Sequence, residues 1–600
     1  MKIKTLKNCL FLFPTSNITL VTKYLNLDMD AALLSSAKSG DVAGCRSSIE
    51  RGANIDCTDK FGYSPAWFAA VEGHVEIVKL IAENGGNINA EAGYGKTPAY
   101  AAASGGHVEV LKLLVEKGAD LSLRDKYGWT PVYVAAVEGH VEVVKLLAEN
   151  GVDLNVGAED GKTPTHAAVE GGHIDVLRLL AEKGANLNVC NNYDSLPAYI
   201  AAVKGHVEAV QLLAVNGANL SYRNHFGNTP AHAAACHGHL EVLKILGEKE
   251  ANLNERNLDG KTPAHMAAEN GNVEVLKVLG EKGANLNEGE ENGKTPAYLA
   301  AEEGHVEVLK LLAENGASLS VVEDQYGMTP SHAAAARGHI EVLKMLADKG
   351  VDLGISDNNG RTPVYIAAQE GHSDVMELLA EKGANLSCRA KFDRTPAHAA
   401  AAGGHVRVLN ILLKKEGVDF DAKDEDGMTP AYMAAVEGHV EVVDLLGDRG
   451  ADLSVIADDG MTPAHAAAAR GHIEVLRKLI GREAKLGLQD KDGRTPVYMA
   501  AVDGHVEAVR MLAENVCNLG CAAKYGRTAV HAAAAGGHVE IVKILAKKDV
   551  DLSSRDEDGR TPAHLATAAG HVELVRLLFE INVMNVFDLC FDAVRKIMDY

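Results

Sequence analysis

Two kinds of apolar pattern alternate along the chain. In one, apolar side chains recur at helical spacing, as in 304–314, where they are Val306, Val308, Leu309, Leu311 and Leu312. In the other, a run of alanines follows Thr262-Pro263 and ends at Gly271. Proline fits the first turn of a helix, where no N–H is needed, and alanine is the best helix former. Together the patterns predict a slim first helix followed by an amphipathic second helix.

This pair of helices is repeated. The Thr-Pro dipeptide or its remnant returns every 33 or 34 residues, from Ser64-Pro65 to Thr561-Pro562. Between the second helix and the next Thr-Pro lie a glycine suited to a helix C-terminus and a short polar run with Asp-Gly or Tyr-Gly, which predicts a turn. A fixed period of this length is typical of a stacked repeat array.

The repeat resembles the ankyrin repeat, whose pattern is Gly-x-Thr-Pro-Leu-His-x-Ala-Ala, then Gly-His, then Leu-Leu and Gly-Ala. Sixteen repeats match from about Asp59 to Leu578, and an earlier one fits residues 29–58, which makes seventeen. The resemblance implies an all-α repeat solenoid of stacked helix-turn-helix units with β-hairpin-like loops. The predicted domains are an N-terminal extension (1–28), the array (29–580) and a C-terminal capping helix (581–600).

The second residue after Thr-Pro shows a further order. From Tyr298 onward it alternates between Tyr and His as far as His531, so two adjacent repeats form one block of about 66 residues. Two repeat boundaries are 34 residues long. One extra residue is expected in the hairpin near Gln325 and the other at the end of a second helix near Lys414.

Composition narrows the class of partner. The net charge is −23, and the Lys and Arg residues are interspersed with acids, which argues against nucleic acid and favours a basic protein partner. Nine scattered cysteines suit a reducing compartment, so we expect a cytoplasmic protein, with the nucleus as an alternative and secreted or organellar sites less favoured. No segment approaches the roughly 20 apolar residues of a membrane helix.

The two ends differ from the repeats. Residues 1–27 carry four lysines and no acid, with a short apolar run from Cys9 to Phe13. A disordered lead or an over-extended start is the favoured interpretation, and a secretory or transit signal is the alternative. At the other end, apolar residues at helical spacing predict the capping helix, with docking to a separate partner as the alternative; they are Phe587, Phe591, Val594 and Met598.

Residues of types that often bind ligands or catalyse reactions are explained here by their positions in the repeat. Gly-Lys-Thr at Gly95, and at three further places, lacks the glycine that a phosphate loop needs five residues earlier. Of 25 histidines, all but His225 and His237 occupy repeat positions, which predicts structural hydrogen bonds. The one candidate for a metal site is where four possible ligands crowd one turn, at His232, Cys236, His237 and His239, but His232 and His239 are ordinary repeat residues. No catalytic residue, metal or cofactor is predicted.

Function is therefore expected from the surface. The resemblance implies a partner-binding stripe on the concave groove that contains Phe68, Val134, Ile200, Met266, Leu299, Ile366, Met433 and Met499. Aromatic residues at the hairpin tips form a second candidate set, with Phe61, Tyr94, Tyr127, Tyr193 and Phe226 toward the N-terminus. The alternatives are packing between first helices for the stripe and folding back onto the hairpin for the tips.

These observations predict a protein-interaction scaffold or adaptor without catalysis, built as a monomeric rod. The alternative is an exported or regulatory effector that sequesters target proteins. A third class, an accessory to an enzyme domain, finds no room because only short segments lie outside the repeats.

Overall fold

The computed structural model describes residues 29–516 and 518–581. The chain divides into two compact units, Met1–Glu291 (unit 1) and Asn292–Tyr600 (unit 2). The predictions for residues 1–28 and 582–600, including the capping-helix residues from Phe587 onward, lie outside the described residues.

Both units are built from helix pairs, and the described residues contain seventeen of them, numbered here as repeats 1–17. In unit 1 the first helices are 29–39, Pro65–Val71, Pro98–Ser104, Pro131–Glu138, Pro164–Glu170, Pro197–Lys204, Pro230–His237 and Pro263–Glu269. The second helices are Val42–Glu50, Val75–Glu83, Val108–Glu116, Val141–Glu149, Ile174–Glu182, Val207–Val215, Leu240–Glu248 and Val273–Glu281.

Unit 2 continues the same order with repeats 9–17. Its first helices are Pro296–Glu303, Pro330–Arg337, Pro363–Glu370, Pro396–Ala402, Pro430–Glu437, Pro463–Arg470, Pro496–Val502, Ala529–Gly536 and Pro562–Ala568. Its second helices are Val306–Glu314, Ile340–Asp348, Ser373–Glu381, Val406–Leu413, Val440–Asp448, Ile473–Gly481, Val506–Asn515, Val539–Ala546 and 572–581.

Each first helix starts where the sequence predicts. Thr130 is the N-cap of Pro131–Glu138, and its hydroxyl accepts a hydrogen bond from the Tyr133 N–H. The helix ends at Gly139, whose φ of 79° is left-handed, and a Cβ there would lie 2.6 Å from Nδ1 of His173 in the next repeat. Glycine is thus required both by the backbone and by the neighbouring ring.

The core of each unit runs along the stack. Within each unit, first helices pack against the first helices of adjacent repeats, and second helices do the same. The slim alanine faces, such as Ala102 and Ala135, are completely buried, as are Leu111, Leu114 and Leu147 of the second helices. Burial is shared between neighbours, so each repeat depends on the next for its core.

The hairpins between repeats are turns. No strand occurs in residues 29–516 or 518–581, where the only bridge is the isolated antiparallel pair of Ala92 and Lys96. The all-helical solenoid predicted from the repeat pattern is confirmed.

Both predicted register changes are present in unit 2. The Glu323 N–H donates to the Met328 carbonyl across a six-residue loop, whereas Asn257 pairs with Lys261 across the usual five. Val406–Leu413 ends one residue early, and its last carbonyls accept from Lys414 and Lys415 in an additional turn.

Candidate partner-binding surface

The loops before the Thr-Pro dipeptides, five residues long except for the loop 323–328, present the candidate tips. In these hairpin loops position 1 anchors the turn, position 3 is the tip and position 5 precedes the threonine. In the loop 125–129, one carboxylate oxygen of Asp125, Oδ1, accepts the N–H groups of Tyr127 and Trp129, each at 2.9 Å. This side chain replaces backbone partners, and so it fixes the tip in place.

The predicted aromatic tips of unit 1 are all solvent exposed. Between 49% and 65% of their surface is accessible for Phe61, Tyr94, Tyr127, Tyr193 and Phe226. They therefore do not fold back into their hairpins. Unit 2 carries three further exposed aromatic tips, Tyr326, Phe392 and Tyr525.

Consecutive tips in unit 1 are tied together by the backbone. The Tyr94 carbonyl accepts from the Lys126 N–H at 2.8 Å, and the Tyr127 carbonyl accepts from the Glu159 N–H at 2.9 Å. From the Tyr94 loop to the loop of Glu159, the turns therefore form a continuous row with fixed spacing.

Repeats 3 and 4 concentrate aromatic rings at this row. Lys126 Nζ lies 3.6 Å from the ring centre of Tyr94 and 4.8 Å from that of Tyr127. Trp129 lies 6.3 Å from Tyr127 and 5.1 Å from Tyr133. Aromatic faces attract cations, and these rings already hold one.

Three tips have a left-handed backbone. Tyr94, Phe392 and Tyr525 have φ between 62° and 67°, and the residue at position 1 of each of their loops is alanine. Each of these three loops closes as a 3₁₀ turn, as in Gly93–Gly95. A bulky residue in this conformation is strained.

A cleft of about 560 Å³ lies beside the aromatic rings of repeats 3 and 4. It is lined by Lys96, Tyr100, Asp125, Tyr127, Trp129, Glu159 and Asp160. Burial, followed by the charges of Asp125 and Glu138, raises the pKa of Tyr100. The lining holds three carboxylates and one ammonium group, and Asp160 is also paired with Lys162 at 3.6 Å, so the cleft is acidic and aromatic.

The groove stripe divides into two sets. Val134, Leu299 and Ile366 are buried because neighbouring repeats cover them, so their predicted contact with a partner is replaced by internal packing. The remaining stripe residues are half-buried and retain accessible surface; they are Phe68, Ile200, Met266, Met433 and Met499.

The histidines after Thr-Pro have a structural role, as predicted. Nδ1 of His232 accepts the Thr229 N–H at 3.1 Å, and Nε2 lies 2.9 Å from the Lys261 carbonyl of the next loop. The neutral ring with its proton on Nε2 satisfies both contacts. Burial accordingly lowers the pKa of His232 to about 4.

The histidines that precede the second helices also bridge repeats. Nε2 of His239 lies 3.0 Å from the Val203 carbonyl in the preceding repeat. Both His232 and His239 thus already have backbone partners, which argues against a metal site around Cys236. No group of His, Cys, Asp or Glu suited to a metal ion occurs in residues 29–516 and 518–581.

Among the residues that the structure describes, no helix combines the length and apolarity needed to cross a bilayer. The cysteines in residues 29–516 and 518–581 are free thiols; they are Cys45, Cys57, Cys190, Cys236, Cys388 and Cys521.

Comparison with known families agrees with this architecture. A family model described as "Ankyrin repeats (3 copies)" matches eight overlapping segments that together span residues 33–586. The class is therefore a helical repeat solenoid, and the chain belongs to the ankyrin repeat family. Members of this family generally mediate protein–protein interaction and are typically not catalytic. None of the curated proteins compared with the chain matches it.

The acidic aromatic cleft is absent from the candidates that sequence reasoning supplies. Part of its signal is in the sequence: in two unit 1 loops an aromatic residue stands at position 5 after an aspartate at position 1, Tyr63 after Asp59 and Trp129 after Asp125. Arg361, Arg494 and Arg560 stand at position 5 in three of the four unit 2 loops that begin with aspartate. Only the structure shows that Oδ2 of Asp125 is buried without a partner.

Proposed function

We propose that this chain is a protein-interaction scaffold or adaptor and that the hairpin tips of unit 1 are its main partner-binding surface. The observation that carries the proposal is the row of exposed aromatic tips on loops joined by backbone hydrogen bonds. Aromatic side chains are favoured interface anchors because they bury a large area with little loss of side-chain entropy.

Rigidity supports the same proposal. The Asp125 carboxylate fixes its loop, and the Tyr94 and Tyr127 carbonyls fix the spacing between loops. A surface that is already ordered loses less conformational freedom when it binds. The half-buried groove residues, among them Phe68, Ile200 and Met266, would extend the contact.

The experiment compares two triple variants of the full chain as baits in native lysate. One carries Phe61→Ala, Tyr94→Ala and Tyr127→Ala in unit 1. The matched control carries Tyr326→Ala, Phe392→Ala and Tyr525→Ala in unit 2. Each variant removes three exposed aromatic tips from one unit.

We expect partners of the unmodified chain to be depleted about tenfold or more on the unit 1 variant and retained on the unit 2 variant. Equal retention on both, or depletion on the control alone, would contradict the proposal. Quantitative mass spectrometry of the captured proteins gives the readout, with circular dichroism confirming that both variants fold.

We also propose that the protein is located in the cytoplasm, and imaging of the tagged full chain tests this localisation. The effector alternative depends on residues 1–28, which lie outside the described residues, and no observation within them favours it.

A further inference from the structure

Asp125 is a buried carboxylate with one oxygen unused. Only 6% of the residue is exposed, and Oδ1 accepts two backbone N–H groups. Oδ2 has no hydrogen-bond partner among the described residues. A buried ionised oxygen without a partner is costly, so a native structure that retains one calls for an explanation.

The equivalent carboxylates in unit 2 show which group pairs with the second oxygen. Position 1 is also an aspartate in four unit 2 loops, where Oδ1 makes the same two backbone contacts. In each, an arginine Nε donates to Oδ2. The pairs are Arg361–Asp357 at 2.8 Å, Arg394–Asp424 at 3.2 Å, Arg494–Asp490 at 2.7 Å and Arg560–Asp556 at 3.1 Å.

Repeat 4 lacks both sources of that arginine. In three of the four pairs the arginine is at position 5 of the same loop, where repeat 4 has Trp129. In the Asp424 pair it is at position 5 of the preceding loop, where repeat 4 has Lys96. Nζ of Lys96 lies instead over the Tyr100 ring, 5.1 Å from its centre.

The surroundings suit a cation supplied from outside. The cleft that reaches Asp125 is lined by three aromatic rings and by the carboxylates of Glu159 and Asp160, and Lys96 is the one cation among its lining residues. Asp160 is paired with Lys162 at 3.6 Å, which leaves Asp125 and Glu159 to face an incoming cation. Arginine binds such places well because its flat guanidinium stacks on aromatic rings while its N–H groups donate to a carboxylate.

We propose that Oδ2 of Asp125 and the rings around it form a binding site for the guanidinium of an arginine side chain on a basic partner protein. The incoming arginine takes the place that Arg361, Arg494 and Arg560 occupy in their own loops. This inference rests on the proposed function, and it adds the chemical class of the partner.

Entry to the site requires one local movement. Because Oδ2 is itself screened from solvent, a ligand reaches it only when a ring of the cleft turns aside. Trp129 is half-buried and occupies the arginine position, so its indole is the side chain we expect to move and then to stack on the guanidinium.

The test uses the full chain with Trp67→Phe, which leaves Trp129 as the single tryptophan of the two in the sequence. The probe is a fluorescein-labelled seven-residue peptide with one central arginine. Matched peptides carry lysine or uncharged citrulline instead. Anisotropy reports affinity, and on unlabelled peptides Trp129 emission reports whether the ligand reaches the cleft.

Two variants bracket the site. Asp125→Asn keeps the Oδ1 acceptor and removes the charge, as Asn191, Asn224 and Asn257 do naturally at position 1 of their loops. Trp129→Arg gives the loop its own guanidinium, as in the loop of Asp490.

We expect the arginine peptide to change Trp129 emission and to bind at least about tenfold more tightly than the citrulline peptide, and we expect both variants to abolish this preference. Unchanged binding to Asp125→Asn, equal binding of arginine and citrulline, or no binding of the arginine peptide would overturn the proposal. Equal binding of lysine would overturn the assignment to arginine.

The result is separable from the proposed function. Capture that depends on the aromatic tips together with failure of the arginine peptide would leave the proposed function standing and reject this site. If the peptide bound at Asp125 and the tip variant captured the same partners as the unmodified chain, the arginine site would stand and the tips would be rejected as the main partner-binding surface.

Discussion

The loop before repeat 4 in unit 1 and the loop before repeat 15 in unit 2 have the same backbone design and opposite outcomes. Asp125 and Asp490 each anchor their loop through Oδ1. Oδ2 of Asp490 is closed by Arg494 at 2.7 Å, whereas Trp129 leaves Oδ2 of Asp125 unpaired. Between these two loops, the residue at position 5 makes one internally complete and leaves the other open to a ligand.

The difference shows how a repeat array can separate stability from binding. Each loop is held by the repeats on either side of it, so the array tolerates a loop whose carboxylate lacks a partner. Arginine pairs recur through unit 2, while rings and an unpaired carboxylate gather in repeats 3 and 4. An unsatisfied buried group is destabilising, and in natural proteins such local costs concentrate at functional sites.

The largest expected effect comes from removing the anchor in each loop. Asp490→Ala leaves two loop N–H groups without their acceptor and breaks the pair with Arg494, so we expect a loss of about 3 kcal/mol. Asp125→Ala removes the same acceptor but also relieves an unpaired carboxylate, so we expect about 1 kcal/mol. Urea unfolding of the full chain, resolved by hydrogen exchange of each loop's repeat, measures both.

The asparagine versions are the matched controls. Asp125→Asn should be close to neutral, and Asp490→Asn should still lose the Arg494 contribution. If the two alanine variants lost equal stability, the unpaired Oδ2 of Asp125 would have no energetic consequence, and the comparison between the loops would fail.

Acid sharpens the comparison because it affects repeats with a buried histidine and spares those with a tyrosine in the same slot. Burial lowers the pKa of His332, His398, His465 and His531 in unit 2, and of His166 and His232 in unit 1. Repeats 3 and 4 carry Tyr100 and Tyr133 in this slot, and burial raises the pKa of both, so they stay neutral in acid.

The sign follows from the pKa of His232, about 4 when folded against about 6.5 when unfolded. The unfolded chain binds more protons between these values, so this stability is present above about pH 6.5 and is lost as the pH falls toward 4. Between about pH 7 and pH 5 the site should lose about 2 kcal/mol.

Hydrogen-exchange protection factors, corrected for the intrinsic effect of pH, should fall in histidine repeats and hold in repeats 3 and 4. His232→Tyr should make repeat 7 resist acid. A uniform loss across tyrosine and histidine repeats would show that other groups control acid stability.

Most of the fold can be predicted from the sequence because residues in each repeat mark where its helices begin and end. Thr130 caps, Gly139 ends the helix, and the extra residue near Gln325 appears as a wider hairpin, all as the pattern predicts. Burial was harder to predict: Val134 and Met433 occupy equivalent positions, yet Val134 is buried and Met433 retains accessible surface, because exposure depends on the side chains of adjacent repeats. The Asp125 site needed the structure, since no pattern states whether a carboxylate oxygen has a partner.

The smallest expected effect concerns the strained tips. Glycine adopts positive φ without strain, so Phe392→Gly should stabilise unit 2 by about 0.5–1 kcal/mol. Tyr94→Gly relieves the same strain but loses the contact with Lys126, 3.6 Å from its ring, so we expect no net change. The nearest cation to Phe392 is farther away, at 5.4 Å.

Tyr127→Gly is the control for ring loss alone, because Tyr127 has no left-handed backbone to relieve and should therefore be destabilised. Thermal and urea unfolding of the three variants rank them. If Tyr94→Gly stabilised the chain as much as Phe392→Gly, the aromatic cluster of repeats 3 and 4 would contribute nothing to the stability of its loops. These exposed rings would then have no role in stability, and partner binding would be the remaining role for the open loop of repeat 4.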